Sequence, residues 1–209
     1  MNKVSAWDWT TTGKVLPIKD QGSCGSCWAF AANAVHESTH AILKGGSTPD
    51  LSEQELVDCS WSHSNQGCNG GWYFWAWNYL KPLGGIIQTK DYTYTARDQE
   101  CKSAGKGRVS PITGYTQVAA NDASIQGAAQ TRPVAIAVDA SNWSGYGGGV
   151  MSVCGNSINH AVTIVGYVDG QYWLVRNSWG SRWGENGHIK LKHGTNTCAM
   201  RNYVYILNM

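Results

Sequence analysis

The densest chemistry in this chain lies around two cysteines three residues apart. They are Cys24 and Cys27, within Gln21-Gly22-Ser23-Cys24-Gly25-Ser26-Cys27-Trp28-Ala29-Phe30. A glycine turn runs into apolar residues at helical spacing that continue to Leu43 and stop at Gly45-Gly46. Cys27 then falls in the first turn of a helix, where unpaired N–H groups and the helix dipole stabilise a thiolate. Ser26 stands at the capping position. The same spacing fits other chemistry. A redox pair needs a preceding strand and a βαβ setting, which the glycines here do not provide. Zinc needs a second pair of ligands, and none is spaced for it. A structural disulfide remains a plain reading of either cysteine.

A thiol gains nucleophilicity from a base or cation, and His160 and Asn177 are the groups that can supply an imidazole and orient it. Each also has a bland reading. His160 opens an apolar strand, where a satisfied core histidine is common; Asn177 fits a turn, and Gln21 fits a polar surface. His36 and His40 have zinc spacing on one helix face, but no flanking Glu or Cys completes a site. With His63, His188 and His193 they read as surface or packing residues.

The elements that must position these groups follow from pattern. Residues 27–43 are expected as a long helix, with Asn33, Glu37 and Lys44 facing water or the other half of the chain. Residues 52–58 read as a second helix. Ser52-Glu53-Gln54-Glu55 fits a capping box and Leu51 a staple, so Glu55 reads as a cap rather than an acid catalyst. Residues 72–80 form a short aromatic helix ended by Pro82, and 86–107 are loop. The pattern then changes. A helix starts at Asn121 or Asp122 and closes at Arg132-Pro133. Strands are expected at 134–138, 159–168, 171–176, 187–192 and 203–207, with a glycine-rich loop at 141–149. Trp7 and Trp9 alternate as in a strand. Helices precede strands, which implies an α+β fold with the two in different halves.

Composition sets outer bounds. At 209 residues and 42% hydrophobic, the chain can bury a large core in one domain or two small halves. No apolar run approaches membrane-spanning length. A net charge of +2, with basic residues scattered or mixed with acids near 97–108, points to no nucleic-acid partner. Eleven tryptophans and ten tyrosines are expected mostly in core and cleft wall, where an aromatic groove would suit a peptide or a sugar chain. Seven cysteines are most simply three disulfides and one free thiol.

Taken together the segments resemble the papain family of cysteine peptidases, cathepsin L-like enzymes among them. The likeness rests on Gln21 before the glycine turn, Cys27-Trp28, Cys59-Ser60, Cys68-Asn69-Gly70-Gly71, Asn159-His160-Ala161 and Asn177-Ser178-Trp179-Gly180. These motifs stand in the family's order and cover nearly the whole chain. The resemblance implies a mainly helical half at 10–110 carrying the cysteine and a β-rich, antiparallel, barrel-like half at 111–209 carrying the histidine and asparagine. Residues 1–9 would pack on the second half, and the active site would lie in the cleft between the halves. It implies disulfides Cys24–Cys68, Cys59–Cys101 and Cys154–Cys198, leaving Cys27 free.

By the same resemblance Cys27 is the nucleophile, His160 the base and acid, Asn177 its orienter, and Gln21 an oxyanion donor. Trp179 shields the histidine–asparagine contact, and Trp28 backs the cysteine. Gly70 and Gly71 form the edge that binds substrate backbone, where glycine is expected because a side chain would obstruct the peptide. A pocket lined by Trp72, Tyr73, Ala137, Ile158, Asn159, Ala161 and Tyr203 takes the second residue upstream of the cut. It is uncharged, so an apolar side chain is expected, with Tyr203 near the floor favouring Val, Leu or Pro over Phe. Papain has aspartate where this chain has Asn159, a difference in local charge that bears on the acidic side of the pH profile. No insertion resembles the occluding loop of cathepsin B, which favours an endopeptidase over an exopeptidase.

The implied partners are peptide and protein substrates, an inhibitory pro-segment, and cystatin-like or epoxysuccinyl inhibitors, with no cofactor, no metal and a monomeric state. Disulfide usage implies a lysosomal, vacuolar or secreted setting. Met1-Asn2-Lys3-Val4 does not read as a signal peptide, so a mature form, or one whose Met1 was added, is expected. Asn142-Trp143-Ser144 is a possible glycosylation sequon. The rival readings are a non-catalytic papain-like binding protein and an acyl-transfer variant.

Overall fold

Strand β5 (His160–Val168) is the axis of the molecule, and its sequence shows why. His-Ala-Val-Thr-Ile-Val-Gly-Tyr does not alternate in polarity, and all of it is buried. Such a run suits a strand covered on both faces. Ala161 and Thr163 face helix α1 (Cys27–Leu43), while Val162 and Ile164 face the interior of the sheet half. The computed structural model describes residues 4–209, so the expectations for Met1 and the first three residues lie outside the described residues.

The helical side holds α1, α2 (Glu53–Cys59) and α3 (Tyr73–Leu80). Helix α1 ends where the pattern said, before Gly45 and Gly46, both at φ +78°. Its start differs in detail. Ser26 occupies the N-cap position but its side chain makes no cap bond; the hydroxyl meets the Tyr94 hydroxyl at 2.7 Å. Asn33 and Glu37 do not face water. Asn33 donates to the Leu51 carbonyl at 3.0 Å, and Glu37 accepts the Leu51 N–H at 2.9 Å. They stitch α1 to backbone that would otherwise be buried unpaired. The capping box on α2 is half formed. Ser52 accepts the Glu55 N–H at 3.0 Å, but the Glu55 carboxylate turns inward to Arg108, the Tyr79 hydroxyl and the Ile87 N–H. A buried carboxylate beside a guanidinium outcompetes a cap.

The sheet side holds β1 (Ala6–Asp8), β2 (Gly114–Gln117), α4 (Asp122–Thr131), β3 (Val134–Val138), β4 (Val150–Met151), β5, β6 (Tyr172–Arg176), β7 (His188–Lys192) and β8 (Tyr205–Asn208). Asn121 is the cap of α4, accepting the Ser124 N–H at 2.9 Å. The order is β2-β8-β3-β5-β6-β7-β4, with β1 also paired to β5. Strand β3 pairs with the first half of β5 and β1 with its last three residues, along the same edge. The sheet is not wholly antiparallel, because β4 runs parallel to β7. The short strands β2 and β4 carried no legible pattern.

Two buried clusters result. One joins α1 and α3 to Ala135, Ala137 and Leu207 of the sheet; the other fills the sheet half around Trp143, Trp173, Ile136 and Val175. Disulfides Cys24–Cys68 and Cys59–Cys101 cross-link the helical side, and Cys154–Cys198 the sheet side. Each spans 42–44 residues, worth about 4 kcal/mol in the chain-entropy account.

Candidate active site

Cys27 is the first residue of α1, half-buried, and the free cysteine among the described residues. Burial pushes its thiol pKa up, while the backbone N–H groups of Ala161, Trp28 and Cys27 itself pull it back. Ala161 lies on β5, so the start of the helix and the start of the strand meet at the sulfur.

His160 opens β5, opposite Val138 of β3 in the ladder. Its Nε2 lies 2.7 Å from Asn177 Oδ1. An amide oxygen only accepts, so Nε2 carries the proton and Nδ1 holds the lone pair. Burial pulls the imidazole pKa down to about 4, against the pull of the Asn177 contact. Trp179 lies across the ring at 4.9 Å and Trp143 meets it edge-on at 5.8 Å, with Trp183 stacked on Trp143. These rings exclude water from the imidazole–amide contact. Asn177 follows the last residue of β6 and also accepts the Ser178 N–H at 2.8 Å.

Ser178 ties this side to the other. Its hydroxyl donates to Gln21 Oε1 at 2.7 Å, and its carbonyl accepts the Gln21 N–H at 2.8 Å. Gln21 Nε2 donates one hydrogen to the Cys24 carbonyl at 2.9 Å. That fixes the amide and leaves its second N–H for the cleft.

The cleft is a cavity of about 370 Å³ lined by Gln21, Gly25, Cys27, Cys68, Asn69, Gly70, Gly71, Trp72, Ala137, Ile158, Asn159, His160, Ala161 and Trp179. Most of the expected residues are therefore brought together. Four are not in the lining. Asn177 stands behind His160 and borders the small hollow between the halves instead. Trp28 is fully buried, its indole N–H on the Gly67 carbonyl at 3.1 Å. Tyr73 is fully buried because α3 begins there and turns its ring inward, with the hydroxyl on the Tyr203 carbonyl. Tyr203 is 38% exposed and leans on Trp72 at 4.7 Å, outside the cavity rather than at its floor, because β8 starts only at Tyr205. The size preference expected from Tyr203 loses its basis.

The reason for Gly71 is also different. A Cβ there would come within 2.8 Å of the Trp28 ring, so packing behind the cleft requires glycine. Gly70, at φ +119°, would point a Cβ into open space, and it keeps the edge of the cleft low. Gly71 itself donates and accepts no hydrogen bond among the described residues. Asn159 is held by its side chain, Oδ1 accepting the Ala140 N–H at 2.8 Å and Nδ2 donating to Ser141 Oγ at 2.9 Å.

Sequence reasoning missed Ser178, whose only signal was its place after Asn177, and Trp143, which stands inside the sequon. It also missed Lys19, a lone lysine in a loop. Lys19 Nζ meets Glu37, Asp50 and Glu53 at 2.7–2.8 Å. With Arg176, Lys19, Glu37 and Glu53 border a small hollow of about 10 Å³ between the halves, behind the cleft, while Asp50 lies at the surface. Burial works against the Lys19 ammonium, but Glu37 and Glu53 hold its pKa up. Burial pushes Glu37 up to about 7 against the pull of Lys19. His36 and His40 both bond Ser110 instead of forming a metal pair. Asn142 is exposed, while the Trp143 beside it is fully buried.

A helical half, a sheet half and a cleft holding a cysteine on one wall and a histidine–asparagine pair on the other define a papain-like architecture. The family model described as papain family cysteine protease matches residues 4–207. Cathepsin L 2 of Paramecium tetraurelia is 45% identical over 195 residues, covering 92% of this chain and 61% of that protein. Macrodontain-1 of Ananas macrodontes is 41% identical, covering 92% of each. The solved structure of the bromelain protease from Ananas comosus in complex with the E64 inhibitor superposes with a TM-score of 0.93 at 38% identity, covering 99% of this chain and all of that one. The chain belongs to the papain family of cysteine proteases. It spans about three fifths of the length of the first curated relatives it matches.

Proposed function

We propose that this chain is a cysteine endopeptidase that cleaves peptide bonds through a thioester acyl-enzyme. The observation that carries this is the free thiol at the start of α1, sharing one cleft with an imidazole whose far nitrogen is held by Asn177. Burial disfavours either charge alone. Moving the proton from Cys27 to His160 Nδ1 creates both charges together, each compensating the other, with the helix N-terminus and the Ala161 N–H adding to the thiolate side. The thiolate attacks the peptide carbonyl. The developing oxyanion takes the free Gln21 Nε2–H and the Cys27 N–H. The imidazolium gives its proton to the leaving amine, and then as a base draws a proton from the water that hydrolyses the thioester.

An extended substrate pairs with the unpartnered Gly71 backbone, as a strand added to an edge. Its second residue upstream meets Trp72, Ala137, Ile158 and Ala161, all uncharged, which supports an apolar preference. Cystatin-like and epoxysuccinyl inhibitors and a pro-segment of its own are proposed to occupy the same cleft, with no cofactor needed. The three disulfides support a secreted, lysosomal or vacuolar setting, and exposed Asn142 supports glycan attachment there.

The test is an epoxysuccinyl peptide added to unreduced protein, with the labelled residue mapped by mass spectrometry and fluorogenic dipeptide hydrolysis followed in parallel. One label per chain on Cys27, with hydrolysis falling in proportion, is expected. No label after mild thiol treatment overturns the reading in favour of a non-catalytic binding protein.

A further inference from the structure

The oxyanion side of the cleft is fixed from the 86–107 loop, none of whose residues lines the cleft. Gln21 has its N–H on the Ser178 carbonyl and its side-chain amide between Ser178 and Cys24. Among the described residues its carbonyl accepts only the Tyr94 hydroxyl, at 2.6 Å. The next N–H, of Gly22, goes to Asp20 Oδ1 at 2.9 Å, so the peptide plane after Gln21 is held at both ends. The same phenol lies 2.7 Å from Ser26 Oγ. Tyr94 has one proton and gives it to Gln21, so the Ser26 hydroxyl donates to Tyr94. Ser26 is fully buried, and the peptide it forms with Cys27 carries the second oxyanion N–H. One hydroxyl thus ties together the two segments that present the two donors, from 73 and 68 residues away.

Tyr94 is itself held. Its ring stands edge-on to Phe30 of α1 at 4.9 Å. Its neighbours are pinned to α2 and the cap of that helix. The Thr95 N–H donates to Gln54 Oε1 at 2.8 Å, Ser52 Oγ donates to the Tyr92 carbonyl at 2.6 Å, and the Tyr92 hydroxyl donates to Asp58 Oδ2 at 2.7 Å. Burial pushes the Tyr94 pKa up against the pull of the Ser26 bond, and the Glu53 and Asp20 carboxylates add to the rise. The phenol therefore keeps the proton that it donates.

We propose that Tyr94 is a positioning residue for the oxyanion site, setting the Gln21 amide and the Cys27 N–H relative to each other through its one hydroxyl. This rests on the endopeptidase reading of that site. Tyr94 touches neither substrate nor thiol. A misplaced donor weakens a bond made chiefly in the transition state, so kcat rather than KM carries the effect.

The experiment follows fluorogenic dipeptide hydrolysis by wild type, Tyr94→Phe, Gln21→Ala and the double variant, with folding checked by thermal unfolding. Alkylation of Cys27 by iodoacetamide is measured alongside. It consumes the thiolate without forming an oxyanion, so it reports on the thiol alone. Tyr94→Phe keeps the ring against Phe30 and deletes the hydroxyl. It is expected to lower kcat about tenfold, with KM and the alkylation rate within about twofold of wild type. In the Gln21→Ala background the same change is expected to cost about threefold or less, since one donor that it positions is gone. An unchanged kcat, an equal loss in both backgrounds, or a parallel fall in hydrolysis and alkylation overturns the proposal; the last marks a general disturbance of the site. Should Tyr94→Phe not fold, Ser26→Ala removes the other end of the relay. It is expected to lower kcat about threefold at an unchanged alkylation rate, and no loss of kcat there overturns the proposal. Absence of hydrolysis in wild type defeats the peptidase reading and the proposal with it, whereas the other outcomes leave that reading standing.

Discussion

The two walls of the cleft are built by different means. The thiol wall is local. Gln21, Cys24 and Cys27 lie within one turn of chain, and the loop is clamped by Cys24–Cys68 and the Gly25 N–H on the Cys68 carbonyl at 2.9 Å. The imidazole wall is assembled at long range. His160 and Asn177 meet only because β5 and β6 are antiparallel neighbours, with Thr163 opposite Arg176. Catalytic groups on the first wall are placed by a turn and a helix start; those on the second depend on strand register, and a slip of one residue would turn His160 out of the cleft. Ser178, bonded to Gln21, and Arg176, donating to the Leu16 and Pro17 carbonyls, then tie the walls together.

The largest effect tests the thiol wall. Cys27→Ala is expected to lower peptide hydrolysis at least about 10⁴-fold with the unfolding temperature nearly unchanged, read by fluorogenic assay and calorimetry. Next comes Gln21→Ala, expected to cost about 10²–10³ in kcat with KM little changed, as for loss of one oxyanion donor. Asn177→Ala, on the other wall, is expected to cost about 10² in kcat through a misoriented imidazole. The double variant sharpens the comparison. Independent walls would give multiplied losses, whereas coupling through Ser178 gives a combined loss smaller than the product.

Stability changes follow. Lys19→Met leaves Glu37 and Glu53 buried without their cation, and is expected to cost about 3 kcal/mol, or roughly 10 °C in unfolding temperature. An unchanged unfolding temperature would mean that Glu37 and Glu53 do not depend on that cation. The smallest effect concerns pH. Burial pulls the His36 imidazole on α1 down to about 4. As pH falls below about 6.5 the unfolded chain takes up that proton first, so this contribution to stability is complete above pH 6.5 and is lost as pH falls through 4. His160, pulled down in the same direction, adds to the trend on the other wall. His36→Leu is expected to reduce the stability lost between pH 7 and 4.5 by roughly 2 kcal/mol, read from urea midpoints.

Much of this was legible in sequence where the signal was local. Helix 27–43, the strand at 134–138 and the strands on either side of residues 169–170 follow from periodicity over short windows. The four polar residues at the cleft were legible because motifs resembling a known family stand in the same order. Features decided by distant neighbours were not. Asn33 and Glu37 are expected to face water or the other half; Glu37 does border the hollow shared with Arg176, but the bonds of both to Leu51 were not legible. Glu55 has the capping position but is claimed by Arg108, 53 residues away. Tyr203 aligns with a pocket floor yet lies outside it.

The sequence by itself determined the local grammar: which segments turn, which wind, where a thiol meets a helix start, and the uncharged character of the pocket for the second residue upstream. Tertiary structure alone decided which nitrogen of His160 is free, which way the Gln21 amide points, and why Gly71 tolerates no side chain. Those depend on partners 17, 157 and 43 residues distant. The physical reason is that backbone preference and amphipathic period act over a few residues. Hydrogen-bond geometry and close packing are set by whatever the folded chain brings alongside.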